Sequence, residues 1–178
     1  ADSRFQVISG NTEGETILGI NNRGSSGYGK TFYAADDGKH GREPLWDCVD
    51  GKAYLQTLDY VDADRIGIMG GSYGGYATLA GLTFTPKEFA CGVDIVGPSN
   101  LETLLATIPP YWAAIVQQFH KRMGDPNTEE GRALLRERSP LYKAGDIERP
   151  LLIGQGANDP RVNQAESDQI VKAMQDKK

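Results

Sequence analysis

The six residues Gly70-Gly71-Ser72-Tyr73-Gly74-Gly75 restrict what this chain can fold into more than any other stretch. They follow a short apolar run, Arg65-Ile-Gly-Ile-Met69, and lead into Tyr73-Gly-Gly-Tyr-Ala-Thr-Leu-Ala80, a helix-length segment of small residues. The pattern G-x-S-x-G between a strand and a helix puts a serine on a turn too sharp for side chains at its flanks. Glycines two residues before and two after Ser72 are expected to let neighbouring backbone approach closely. The serine is then held in a strained conformation with its hydroxyl clear of the sheet. The backbone N–H of Tyr73 is expected to point at an oxyanion developing beside Ser72. A glycine-rich strand-to-helix turn with an incidental serine is the plainer alternative.

The rest of the chain fits that corner. Apolar runs alternate with helix-period segments, the pattern of a parallel sheet joined by crossover helices. Strands are predicted over 15–22, 65–69, 89–96 and 151–154, which makes at least four parallel strands. Helices are predicted over 44–60, 73–83, 111–123, 128–138 and 162–174, with Trp46, Val49 and Ala53 forming the buried stripe of the first. A length of 178 residues fits one domain. Cys48 and Cys91 sit among apolar neighbours and read as small buried thiols, not as a disulfide framework. No apolar run is long enough to span a membrane. Lys and Arg number 19 against 24 Asp and Glu, a formal charge of −5, which argues against a nucleic-acid surface. The opening Ala1-Asp2-Ser3-Arg4 is unlike a signal peptide, and a first residue other than Met suggests a true start elsewhere.

A second motif competes. Gly24-Ser25-Ser26-Gly27-Tyr28-Gly29-Lys30-Thr31 fits G-x-x-x-x-G-K-[ST], the loop that cradles phosphates in nucleotide hydrolases. With this composition the serine motif arises by chance about 0.1 times per chain and the phosphate loop about 0.01 times, so context must decide between them. A phosphate loop should run into a full helix. Lys30-Thr31 is instead followed by Phe-Tyr-Ala-Ala-Asp-Asp and then Gly38 and Gly41, leaving two turns at most. Asp94, the best candidate for a magnesium ligand, lies inside its strand.

The serine motif resembles that of serine peptidases of the prolyl oligopeptidase family, and Gly70–Tyr76 is similar to that family's Gly-x-Ser-Tyr-Gly-Gly signature. Asn22-Arg23-Gly24-Ser25-Ser26-Gly27-Tyr28-Gly29 resembles the family's strand-end segment, which accounts for the phosphate-loop match. Leu151–Val162 is similar to the stretch carrying the triad acid. Ser139-Pro140 and Gly124-Asp125-Pro126 also sit where relatives have them. The resemblance covers about residues 16–178 and is closest to acylaminoacyl-peptidase and dipeptidyl-peptidase-like members. It implies an α/β-hydrolase-type, mostly parallel sheet with helices on both faces, incomplete at both ends. It also implies a serine hydrolase, peptidase or esterase, that acts through an acyl-enzyme. Ser72 would be the nucleophile, Asp159 the triad acid, and the Tyr73 N–H an oxyanion donor. Leu101, Leu104, Ile108 and Val162 would line a substrate pocket, with plain core as the alternative for each. Leucines where dipeptidyl members carry aromatics argue against a proline-specific pocket. No cofactor or metal is implied, the partner is a peptide or ester substrate, and the cytoplasm is the favoured compartment.

The chain departs from the family at the base. Only 19 residues follow Asp159, none of them histidine, and His40 and His120 both precede it. His40 lies in the polar loop Gly38-Lys39-His40-Gly41, and His120 on a helix beside Phe119. The tyrosine that supplies a second oxyanion donor in relatives has no counterpart before Asn22, and no stretch of these 178 residues resembles the family's β-propeller. Two other readings therefore stand beside the hydrolase. One is a catalytically incomplete α/β module with a role in assembly, whose sheet edge would pair with a second copy. The other is nucleotide binding at Gly24–Thr31.

Overall fold

The structure is a computed structural model that describes residues 5–9 and 16–177. Two sheets are present among these residues. Strands β1 (Phe5–Ser9) and β2 (Thr16–Ile20) pair antiparallel, Phe5 opposite Ile20 and Ser9 opposite Thr16. Strands β3 (Ile68–Gly71), β4 (Gly92–Ile95) and β5 (Leu151–Gly154) form a parallel sheet in that order. The expected fourth parallel strand, over 15–22, is therefore the antiparallel β2. The apolar alternation marks a strand but not its direction. A partner only a few residues upstream cannot be reached by a parallel crossover, which needs a dozen residues or more.

Period-two alternation decides which side of the parallel sheet is covered. Ile68, Gly92 and Leu151 stand in one row, and Gly70, Asp94 and Ile153 in the next. Helix α3 (Tyr73–Phe84) lies on this side and brings Leu79 and Leu82 into a core with Phe89, Ala144, Ile147 and Ile170 of α7 (Ala165–Asp176). Gly92 permits the close approach of α3, since a Cβ there would stand 2.6 Å from Leu82 Cδ1. The side carrying Met69 and Leu152 is open among the described residues, and those two side chains are 65% and 66% exposed. A second core, Tyr76, Leu101 and Leu135, joins α3 to α4 (Leu101–Ala106) and α6 (Glu129–Glu137), with Met123 of α5 (Ala113–Met123) packed against it. Helix α4 did not stand out in the sequence. Its six residues carry too short a period, and its start is fixed by Asn100, whose side chain accepts the Glu102 N–H at 2.9 Å.

Two local expectations change, and a third is met. Helix α2 (Glu43–Leu55) buries Leu45, Asp47 and Leu55, while Trp46, expected inside, lies 45% exposed under the Arg42 guanidinium. The buried Asp47 accounts for the rotation: it accepts from the Arg23 backbone N–H at 2.8 Å and from the Arg23 guanidinium at 2.6 and 2.9 Å. Cys91 is exposed because it precedes β4 at the sheet's amino-terminal edge, whereas Cys48 is half-buried on α2. Helix α1 (Lys30–Tyr33) has four residues, so the segment after Gly24–Thr31 lacks the helix that a phosphate loop requires.

Candidate active site

Ser72 occupies the corner between β3 and α3 with φ 55° and ψ −114°, left-handed backbone that a side chain adopts only under constraint. Its N–H donates to the Ile95 carbonyl at 2.8 Å, and its carbonyl accepts the Tyr76 N–H at 3.0 Å as the first bond of α3. Gly70 is required here, because a Cβ would stand 2.4 Å from the carbonyl carbon and oxygen of Gly74. Gly75 is required too, its Cβ position lying 2.3 Å from Asp94 Oδ1 and 2.6 Å from Gly97 Cα. Gly74, expected to allow a close approach, has open space around its Cβ position; its own backbone is what Gly70 approaches. Ser72 is exposed at the carboxyl edge of the parallel sheet. The Tyr73 N–H belongs to the first turn of α3, whose amides have no intrahelical acceptor.

A second left-handed residue stands beside the corner. Val96, just past β4, has φ 51°, an outlier for a β-branched side chain. Its N–H donates to the Gly154 carbonyl at 2.8 Å, and Asp94 Oδ1 accepts the Gly97 N–H at 2.8 Å across the same turn. Asp94 is fully buried, its Oδ2 has no hydrogen-bond partner, and burial pushes its carboxyl up to about 6. No sequence signal marked Val96, although an Asp three residues before a Gly-Pro pair is a turn signature.

Asp159 lies five residues beyond β5, so it shares the carboxyl edge with Ser72. Its Oδ1 accepts the N–H groups of Val162 and Arg161, each at 2.8 Å, and these bonds hold the carboxyl below its ordinary value. Neither histidine meets it. His120 Nδ1 lies 3.6 Å from Asp125 at the end of α5. His40, expected in a polar loop, is 4% exposed; its Nδ1 is 2.7 Å from the Tyr73 hydroxyl and its Nε2 faces Asp36 at 3.8 Å. Among the described residues no histidine hydrogen-bonds Ser72 or Asp159.

A cavity of about 460 Å³ opens beside Ser72. Leu101, Leu104, Ile108 and Val162 all line it, with Tyr73, Trp112 and Arg161. Leu101, only 1% exposed, serves the second core as well. A larger cavity of about 740 Å³ lies between β2 and β3 against α2, and Ser72 does not line it. Among the described residues no group of three or more His, Cys, Asp or Glu side chains could hold a metal ion.

A strained serine at the carboxyl end of a parallel strand, opening a helix beside a cavity, is the arrangement of an α/β hydrolase, and solved structures agree. A Mycobacterium tuberculosis puromycin-hydrolyzing peptidase superposes with a TM-score of 0.83 at 30% identity, over 94% of this chain and 25% of its own. A Pyrococcus horikoshii acylaminoacyl peptidase gives 0.81 at 31% identity, over 93% and 26%. The chain belongs to the prolyl oligopeptidase family, whose sequence model matches residues 2–178. That match begins well before residue 16, where the motif resemblance started. Similar curated proteins include dipeptidyl aminopeptidase BIII of Pseudoxanthomonas mexicana, 60% identical over 92% of this chain, and dipeptidyl peptidase family member 6 of Caenorhabditis elegans, 49% identical over 92%. The chain spans 24% and 22% of the lengths of those two relatives.

Proposed function

We propose that this chain carries the nucleophile and the acid of a serine peptidase that works through an acyl-enzyme at Ser72. The observation that carries this reading is the left-handed Ser72 at the β3–α3 corner, exposed toward a cavity walled by leucines. Ser72 Oγ attacks the carbonyl carbon of a peptide bond while a histidine takes its proton. The tetrahedral oxyanion forms next to the first turn of α3, where the Tyr73 N–H donates to it and the helix dipole favours the negative charge. The histidine returns the proton to the leaving amine, and water then releases the acyl group by the reverse sequence. Asp159, held ionised by two backbone N–H groups, orients that histidine and stabilises its cationic form. The ring nitrogens of His40 face Tyr73 and Asp36, and His120 faces Asp125, which supports a base supplied by neither of them. Leu101, Leu104, Ile108 and Val162 receive the side chain of the residue whose carbonyl is attacked.

Labelling by a fluorophosphonate tests the reading. The full-length protein should be labelled and its Ser72→Ala variant should not. The 178-residue chain alone should react slower by roughly 10⁴-fold or more, because the base is missing. Equal labelling of the Ser72→Ala variant would refute the assignment.

A further inference from the structure

In the wall of the cavity beside Ser72, three segments bring together four polar side chains that the mechanism above leaves unused. Asp36 follows α1, His40 precedes α2, and both are 4% exposed. Arg122, in the last turn of α5, places Nη2 2.6 and 2.7 Å from the two Asp36 oxygens and lies over the Tyr33 ring. His40 Nε2 faces Asp36 Oδ2 at 3.8 Å, and His40 Nδ1 is 2.7 Å from the hydroxyl of Tyr73. The two rings meet edge to face, their centroids 5.4 Å apart.

The direction of these bonds follows from burial. Burial raises the Tyr73 phenol far above its ordinary value and lowers His40, so the phenol stays protonated and the imidazole neutral. The Tyr73 hydroxyl then donates to Nδ1, and Nε2 carries the ring proton, facing across 3.8 Å, without a hydrogen bond, the carboxylate that Arg122 clamps. The result is a chain from α5 through Asp36 and His40 to the side chain of the residue immediately after Ser72.

We infer that His40 is a positioning residue: its bond to the Tyr73 hydroxyl fixes the side chain, and through it the backbone N–H, of the residue that faces the oxyanion. The inference rests on the reading of Ser72 and Tyr73 given above. A donor in an oxyanion hole acts only within about 2.7–3.1 Å of the charge, and a displacement of about 1 Å lowers rates on the order of 100-fold. On the Ser72 side the Tyr73 amide is held by the strained corner. On the far side of the residue, the phenol's hydrogen bond to a buried imidazole restrains the ring.

The test is steady-state turnover of a dipeptidyl p-nitroanilide by the full-length protein and its Tyr73→Phe, His40→Leu, His40→Asn and double Tyr73→Phe/His40→Leu variants. Tyr73→Phe and His40→Leu should each lower kcat about 10- to 100-fold with KM within about threefold of the parent. The double variant should be no slower than the slower single one, since both remove the same bond. His40→Asn, whose side-chain oxygen can accept the phenol proton, should recover kcat to within about threefold of the parent. Unchanged kcat in Tyr73→Phe, losses that multiply in the double variant, or a loss confined to KM would each overturn the inference. If His40→Leu fails to fold, Tyr73→Phe and His40→Asn decide: loss in the first with recovery in the second supports it, and any other pairing overturns it. Turnover surviving in Ser72→Ala would instead overturn the reading of the site itself.

Discussion

Gly70 and Gly74 meet across the corner that carries Ser72, so closely that a methyl group on Gly70 would lie 2.4 Å from the Gly74 carbonyl. Backbone cannot yield there as a flexible side chain could. Gly70→Ala is therefore expected to destabilise the fold by about 3 kcal/mol or more, lowering the melting midpoint by roughly 6–12 °C. Gly74→Ala is the contrast. Its Cβ position is open and helical, so the same melt should show no loss, or a gain of up to about 1 kcal/mol.

Glu166 is 2% exposed in the first turn of α7 and holds the entry to α4. Its Oε2 accepts the N–H groups of Ser99 and Asn100 at 3.0 and 2.9 Å and the Gln169 amide at 2.9 Å; its Oε1 accepts the Thr103 hydroxyl. Glu166→Ala would leave several buried donors without an acceptor and should lower stability by about 2–4 kcal/mol in urea titrations. Because α4 carries Leu101 and Leu104, KM for peptide substrates should rise in any variant that still folds.

The pH dependence of stability should carry the signature of Asp94. Burial raises its carboxyl from 3.8 to about 6, so the folded state holds a proton that the unfolded state has already released. The stabilisation is complete below about pH 4 and is lost as pH rises through about 6. Asp94→Asn keeps an oxygen for the Gly97 N–H. It should leave the urea midpoint at pH 4 unchanged and raise stability at pH 7 by about 1–2 kcal/mol.

Asp159→Asn separates orientation of the base from loop structure. Asparagine can still accept from Arg161 and Val162, so the melting midpoint should stay close to that of the parent. The rate should fall on the order of 10⁴-fold, because a neutral amide neither selects the required histidine tautomer nor stabilises its cation.

The corner was legible in the sequence because everything it needs is local: a strand, a serine between glycines, and a helix of small residues. Leu101, Leu104, Ile108 and Val162, which line the cavity, were named from the family resemblance and not from a signal of their own, since an apolar residue at a cavity wall reads the same as one in the core. His40 was not legible either. Its neighbours Gly38, Lys39 and Gly41 read as solvated loop, and its burial comes from partners 33 residues away at Tyr73 and from an Asp36–Arg122 pair 86 residues apart. The direction of β2 depended on a partner strand rather than on its own alternation. Trp46 looked like core because periodicity cannot foresee an ion pair inside the fold, where Arg23 meets Asp47. The strain at Val96 comes from the pairing of β4 with β5, which no stretch of residues near it announces.

The most direct measurement is rapid acid quenching of the full-length protein during turnover of an ester substrate, followed by peptide mass mapping. The substrate's acyl group should be found on the peptide that contains Ser72, at Ser72 itself. Steady hydrolysis with the acyl group on another residue, or with the Ser72→Ala variant equally active, would contradict it.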